Sequence, residues 1–310
     1  MIFVFFQLIL LLASPTNEQD DLIKKLDAIS TTPEQILIDN KLKIDKKGGH
    51  LQGIQIYRYN DETYLYTSGS SSQYGYVVSA SETRVEQLHI LRKKPLKHAG
   101  GFQISNNWLA VGIEDNELRN VSEVHVYQLG DPLAAELKLK AVVDRKGDWE
   151  RATAGAVAII EWENRLLMLV GDWSNRHIDF YLASLDRDPA SLNFQKSSEI
   201  EMATYNKKGW VDDVPWPYQN INLVKYGKQL LLFGFSSGEG DTNILDVYIL
   251  EDPFSKTPGL TKIYSRTFPK TKSTRFGWGA GVQYEKNKFT LYSCGENILK
   301  QLEVARYSSH

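Results

Sequence analysis

Two histidines, His50 and His98, precede the same short pattern of apolar residues, glycine and glutamine, HLQGIQI and HAGGFQI. Three comparable patterns are preceded by acids and tryptophans: Asp148-Trp149-Glu150-Arg151, Asp212-Asp213 with Trp216, and Arg275 with Trp278. Two further polar groups, Glu114-Asp115-Asn116 and Asp172-Trp173-Ser174-Asn175-Arg176, follow apolar runs. Trp149, Trp173, Trp216 and Trp278 make four of the seven tryptophans in the chain. Aromatic faces flanked by acids and amides suit sugar rings and other flat, polyhydroxylated ligands. Paired carboxylates can run glycoside hydrolysis, one as acid and the other as base or nucleophile, and Glu114, Asp148, Glu150, Asp172 and Asp213 are the candidates. His50 and His98 could ligate a metal, act as bases or fill hydrogen bonds, but a metal site needs at least three converging ligands. No cofactor and no metal are expected. Cys294 is the single cysteine, which excludes an intramolecular disulfide and a cysteine-based zinc site.

These residues fall at equivalent points of an internal repeat. Five segments read alike, starting at His50, His98, Ala152, Pro217 and Trp278, and they align on Gly53, Gly101, Gly155, Asn220 and Gly281. The intervals are 48, 54, 65 and 61 residues. Each repeat holds two alternating apolar runs and a third strand, such as YGYVVSAS at 74–81 and HIDFYLASL at 177–185. A fourth strand follows in the first four repeats only. Four short strands repeated at this period predict an all-β, five-bladed β-propeller over 36–310. The fifth repeat lacks its fourth strand, and QILIDNKLKI (35–44) has no repeat of its own, so this N-terminal strand is expected to complete the last blade. Gln55, Gln103, Asn222 and Gln283 recur two residues after the aligned positions and are expected to tie neighbouring blades together.

That topology sends strand-one approaches and second-to-third loops to one face, around the mouth of the central channel. The expected ligand-binding set is therefore His50, His98, Asp148, Arg151, Asp172, Trp173, Asp213, Trp216 and Trp278. Within it, His98, Asp148, Arg151 and Asp172 are expected to form one connected polar cluster, with Arg151 holding both carboxylates ionised. The serine-rich stretches GSSS (69–72) and SSGEG (236–240) read as turns, because no phosphate-loop motif occurs.

The chain has 310 residues, 42% hydrophobic and 24% charged, with a formal net charge of −2. Such a composition excludes disorder and provides no basic field for nucleic acid. Ile2 to Ala13 is an apolar run too short to span a bilayer, which takes ~20 residues. It reads as a secretory signal or membrane-targeting segment over 1–16. Residues 17–35 read as a polar linker with a helical turn or two at Leu22, Ile23, Leu26 and Ile29. No transmembrane helix is expected in the mature chain.

The segments HAGGFQISNNWLAVGIED with VSEVHVYQL, and ATAGAVAIIEWENRLLMLVGDW with DFYLASL, resemble a group of uncharacterised secreted bacterial propeller proteins. The resemblance implies the propeller and a secreted or periplasmic location, and no activity. The expected function is an exported monomer binding a small polar or carbohydrate-like ligand at the channel mouth without turnover. The alternative is a glycoside hydrolase-like enzyme using paired carboxylates on the same face; a third reading is a scaffold with a shallow, unpocketed top.

Overall fold

A computed structural model describes residues 15–45, 47–185, 192–214, 217–271 and 273–309. The expected signal segment lies outside the described residues, apart from Pro15 and Thr16. Among the described residues the chain is all-β with one α-helix, α1 (Pro15–Asp27), ahead of a first strand β1 (Glu34–Asp39). Four antiparallel units follow in chain order. The first holds β2 (Leu51–Tyr59), β3 (Glu62–Ser70), β4 (Tyr74–Ala80) and β5 (Val85–Lys93). The second holds β6 (His98–Ser105), β7 (Trp108–Glu114), β8 (Val121–Gln128) and β9 (Lys138–Lys146). The third holds β10 (Ala156–Trp162), β11 (Arg165–Gly171), β12 (His177–Ser184) and β13 (Gln195–Glu201). The fourth holds β14 (Asn220–Tyr226), β15 (Gln229–Ser237), β16 (Thr242–Glu251) and β17 (Gly259–Pro269). The last unit joins β18 (Arg275–Glu285), β19 (Lys288–Cys294) and β20 (Gln301–Ser308) to β1, which pairs antiparallel with β20 from Glu34↔Arg306 to Asp39↔Gln301. A single parallel pair, Gly101↔Ala156, links the second and third units into one sheet.

Burial is graded across each unit. β7 is buried along its whole length and β11 over all but its first residue, whereas the outer strands β9 and β13 are largely exposed. Apolar clusters fill the spaces between consecutive units. Tyr66, Phe102 and Val111 lie between the first and second, Leu169, Leu223 and Tyr248 between the third and fourth. Another cluster joins Ile38, Tyr292 and Val304 of the last unit to Leu51, Ile54 and Tyr76 of the first. The initial strands touch in the same cyclic order, β2 with β6, β6 with β10, β10 with β14, β14 with β18, and β18 with β2.

Two-residue turns close five of the hairpins. In three of them, Asn60-Asp61, Glu163-Asn164 and Lys286-Asn287, both residues have positive φ, the geometry whose twist matches paired strands. At the alignment glycines the initial strands approach closely. A Cβ on Gly101 would lie 2.3 Å from the Gln219 carbonyl oxygen, and one on Gly281 2.1 Å from that of Ile54. Gly155 differs, because a Cβ there would meet nothing within 4 Å.

The glutamine and asparagine positions stitch initial strands together. Gln103 accepts from the amides of Ile159 (3.0 Å) and Leu223 (2.8 Å) and donates to the Leu223 carbonyl. Asn222 accepts from Gln55 and from the Val282 amide. Gln283 departs from the pattern and donates to Glu285 of its own strand.

Where a polar linker with a helical turn or two is expected over 17–35, a helix over 15–27 docks on the fourth and last units. Leu22 and Leu26 are fully buried beside Phe233 and Phe289. Tyr226 donates to Asp21 at 2.6 Å and Arg266 donates to the carbonyls of Leu26 and Ile29, which satisfies the helix end. Leu22, Ile23 and Leu26 of the helix, with Ile29 just beyond its end, pack into this surface.

Candidate functional site

A cavity of about 300 Å³ opens where the initial strands begin, lined by His50, Gln52, His98, Glu114, Gly155, Asp172, Trp173 and the segment from Pro217 to Gln219. The antiparallel register of one hairpin sets His98, at the start of β6, opposite Glu114, at the end of β7. Asp172 follows β11, and Gly155 precedes β10. The open space at Gly155 is this cavity.

Glu114 is fully buried. Its Oε2 accepts from the Ala154 amide at 2.8 Å, while Oε1 accepts no hydrogen bond among the described residues. Burial pushes its carboxyl up to about 7, against the smaller opposing effects of the Ala154 amide and of Arg119. The His98 Nε2 stands 3.8 Å from Oε1. Burial, with the nearby His50 ring, brings the His98 imidazole down to about 3. At pH 6 both groups are therefore mostly uncharged, and the contact is not an ion pair. The His50 and His98 rings meet edge-on with centroids 6.5 Å apart, and the His50 Nδ1 lies 2.6 Å from the Leu51 carbonyl oxygen.

Asp172 is buried and accepts two bonds from His177, from its amide at 2.9 Å and from Nδ1 at 2.7 Å. The Trp173 amide donates to the Thr153 hydroxyl at 2.7 Å, which in turn donates to the Glu150 carbonyl, tying the loops on either side of β10 and β11 together. Arg119 stacks its guanidinium 3.8 Å from the Trp173 ring centroid. Tyr218 is held by Asp246 and Tyr248, and the fully buried Lys262 bonds Asp246 together with Asp212 and the Val214 carbonyl.

The structure brings together His50, His98, Asp172 and Trp173 of the expected set. Asp148 and Arg151 lie instead on a neighbouring cavity of about 860 Å³. The expected cluster of His98, Asp148, Arg151 and Asp172 is thus divided between two cavities. Arg151 makes a bidentate bond to Asp179 at 2.6 and 2.8 Å, shared with Arg145 and Lys196. These cations depress the Asp179 carboxyl despite its burial, and the Arg151 guanidinium is raised mainly by its bond to Asp179. Asp213 is exposed and lines neither cavity. Trp278 is half-buried under Arg275, 4.6 Å from its ring centroid, and also lines neither. Trp216 lies outside the described residues. Cys294 is buried, which pushes its thiol up and leaves it no nucleophilic character. No group of three or more His, Cys, Asp or Glu is arranged to hold a metal ion among the described residues.

No protein-family profile matches the chain, and no curated protein matches it significantly. Solved structures align with much of the chain, at TM-scores below 0.5 for those that follow. The GH43_1 enzyme from Xanthomonas citri, solved with xylose, is 7% identical with a TM-score of 0.49, over 95% of this chain and 93% of that one. The catalytic domain of the Coprinopsis cinerea GH62 alpha-L-arabinofuranosidase is 9% identical with a TM-score of 0.48, over 90% and 98%. For an exo-beta-1,3-galactanase from Clostridium thermocellum the identity is 10% and the TM-score 0.47, over 86% of this chain and 61% of that one. No described helix is long and apolar enough to cross a membrane.

Proposed function

We propose that the chain is an exported five-bladed propeller and a glycoside hydrolase-like enzyme whose site is the cavity between His98 and Asp172. The cyclic contacts of the initial strands, the apolar cluster between last and first units and the β1–β20 pairing support five blades closed by the N-terminal strand. The apolar run Ile2 to Ala13 supports export.

The observation that favours hydrolysis over binding without turnover is Glu114. A general acid must keep its proton at working pH and present it to the leaving oxygen. A buried carboxyl raised to about 7, with one oxygen left without a hydrogen-bond partner among the described residues, meets the first demand. Asp172, on the same cavity and oriented by His177, is the second carboxylate, acting as base or nucleophile. Trp173 supplies an apolar face for a sugar ring, with Gln52 and Gln219 as hydrogen-bonding groups. His98 stays neutral and accepts or donates one hydrogen bond beside the acid.

The test is turnover of a panel of phenyl glycosides of common pentoses and hexoses. At least one should be cleaved, and Glu114→Gln and Asp172→Asn should each lower kcat by ~10²-fold or more with the fold intact. Release of phenol that persists in both variants, or binding of a sugar with no turnover of any glycoside, would refute this assignment.

A further inference from the structure

We infer that the larger cavity beside the axial one is a second saccharide subsite, so that the substrate is an oligosaccharide or polysaccharide rather than a small glycoside; this rests on the axial cavity being the site of bond cleavage. The two cavities adjoin, because Ser174 and Pro217 line both. At about 860 Å³ the outer one has room for further sugar units beyond the one held between Glu114 and Asp172.

Its wall carries Trp149, which is 63% exposed and the one aromatic side chain among the large exposed apolar groups of the described residues. An indole left in solvent on the rim of a cavity is a ready platform for the apolar face of a sugar ring. Trp149 is also braced. The Arg119 guanidinium lies between the two indoles, 3.8 Å from the Trp173 centroid and 5.9 Å from that of Trp149, so the aromatic of each cavity leans on a shared cation. Arg119 is fixed in turn by Glu150 at 2.6 Å, whose other oxygen meets Arg176 at 3.1 Å.

The backbone of this wall is strained in a way the hairpin turns are not. Arg119, Glu150, Ser174 and Asn175 have φ of 55°, 61°, 65° and 52°, although none lies in a two-residue strand-to-strand turn and none is glycine. Such conformations persist only where the surroundings over-determine them, and they concentrate at ligand clamps. They lie in the segments that carry Trp149, which lines the outer cavity, and Trp173, which lines the axial one.

The experiment is titration calorimetry on Glu114→Gln, which removes turnover, with matched pairs of monosaccharide and linear trisaccharide built from xylose, arabinose, galactose, glucose and mannose. At least one trisaccharide should bind tenfold or more tightly than its monosaccharide. Adding Trp149→Ala should cut that advantage to under threefold, and Trp149→Phe should restore most of it. A trisaccharide that binds no better than its monosaccharide, or an advantage that survives Trp149→Ala, would overturn the inference. If the advantage behaves as stated while the wild-type chain cleaves no glycoside, the subsite stands and the hydrolytic reading falls. If none of the sugars binds, both fall.

Discussion

Glu114 and His98 face each other with opposite titration behaviour, and this gives the site a signature in stability as well as in rate. The Glu114 carboxyl sits at about 7 in the folded chain against an ordinary 4.5, so its contribution is fully present below pH 4.5 and is lost as pH rises through 7. His98, at about 3 against 6.5, behaves in reverse: its contribution is present above pH 6.5 and is lost as pH falls toward 3. Glu114→Gln should therefore gain on the wild-type chain as pH rises, reaching about 3 kcal/mol at pH 8, with little difference at pH 4.5. Thermal melts of both proteins across this range would show it; parallel curves would mean that Glu114 titrates normally. Arg151 belongs to a different argument. Removing it leaves Asp179 with Arg145 and Lys196, so Arg151→Ala should cost about 1 kcal/mol. Asp179→Asn leaves the buried Arg145 without its carboxylate and should cost about 3 to 5 kcal/mol in denaturant unfolding. Equal losses would refute that hierarchy. The sequence placed Arg151 among the channel residues because it precedes an initial strand. Its partner Asp179 sits inside a strand between Ile178 and Phe180, where nothing in the pattern marks it as a charged anchor.

At the scale of elements, the repeat pattern carried both the strands and four of the residues that line the axial cavity. His50, His98, Asp172 and Trp173 were legible because a position that recurs in each repeat must recur at the same end of each unit. Glu114 was legible only as one carboxylate among five; what singles it out is the hairpin register that sets it against His98, and a bulge near Ala99 makes that register hard to count from residue numbers. Arg119 carried no signal, since it lies in an irregular stretch between β7 and β8. The aligned glycines separate two demands that look identical in sequence. Gly101 is needed for backbone approach, whereas Gly155 borders the axial cavity. Gly101→Ala should lower stability by about 3 kcal/mol, while Gly155→Leu should leave it within about 1 kcal/mol and abolish sugar binding by filling the site. Melting temperatures and calorimetry on the two variants distinguish these outcomes, and comparable melting temperatures would show that the glycines are equivalent.

For the molecule as a whole, short alternating strands at a fixed period left little freedom in fold class, which is why the all-β reading survives contact with the structure. The N-terminal segment was less legible. Its pattern marked a helical turn or two but not the docking, since Leu22 and Leu26 bury completely only because the fourth and last units present a matching apolar surface. Such a surface is a property of the assembled sheets, invisible in a local window. The same holds for the two adjoining cavities, whose walls draw on loops from several units. The central claim, that Glu114 delivers the proton to a leaving sugar oxygen, is tested most directly by leaving-group dependence. On whichever glycoside the wild-type chain cleaves, Glu114→Gln should lose ~10²- to 10⁴-fold in kcat/KM when the leaving group is unactivated phenol. With 2,4-dinitrophenol, which departs without protonation, the loss should be less than about tenfold. Equal losses on both leaving groups, or none on either, would contradict the assignment of Glu114 as the acid.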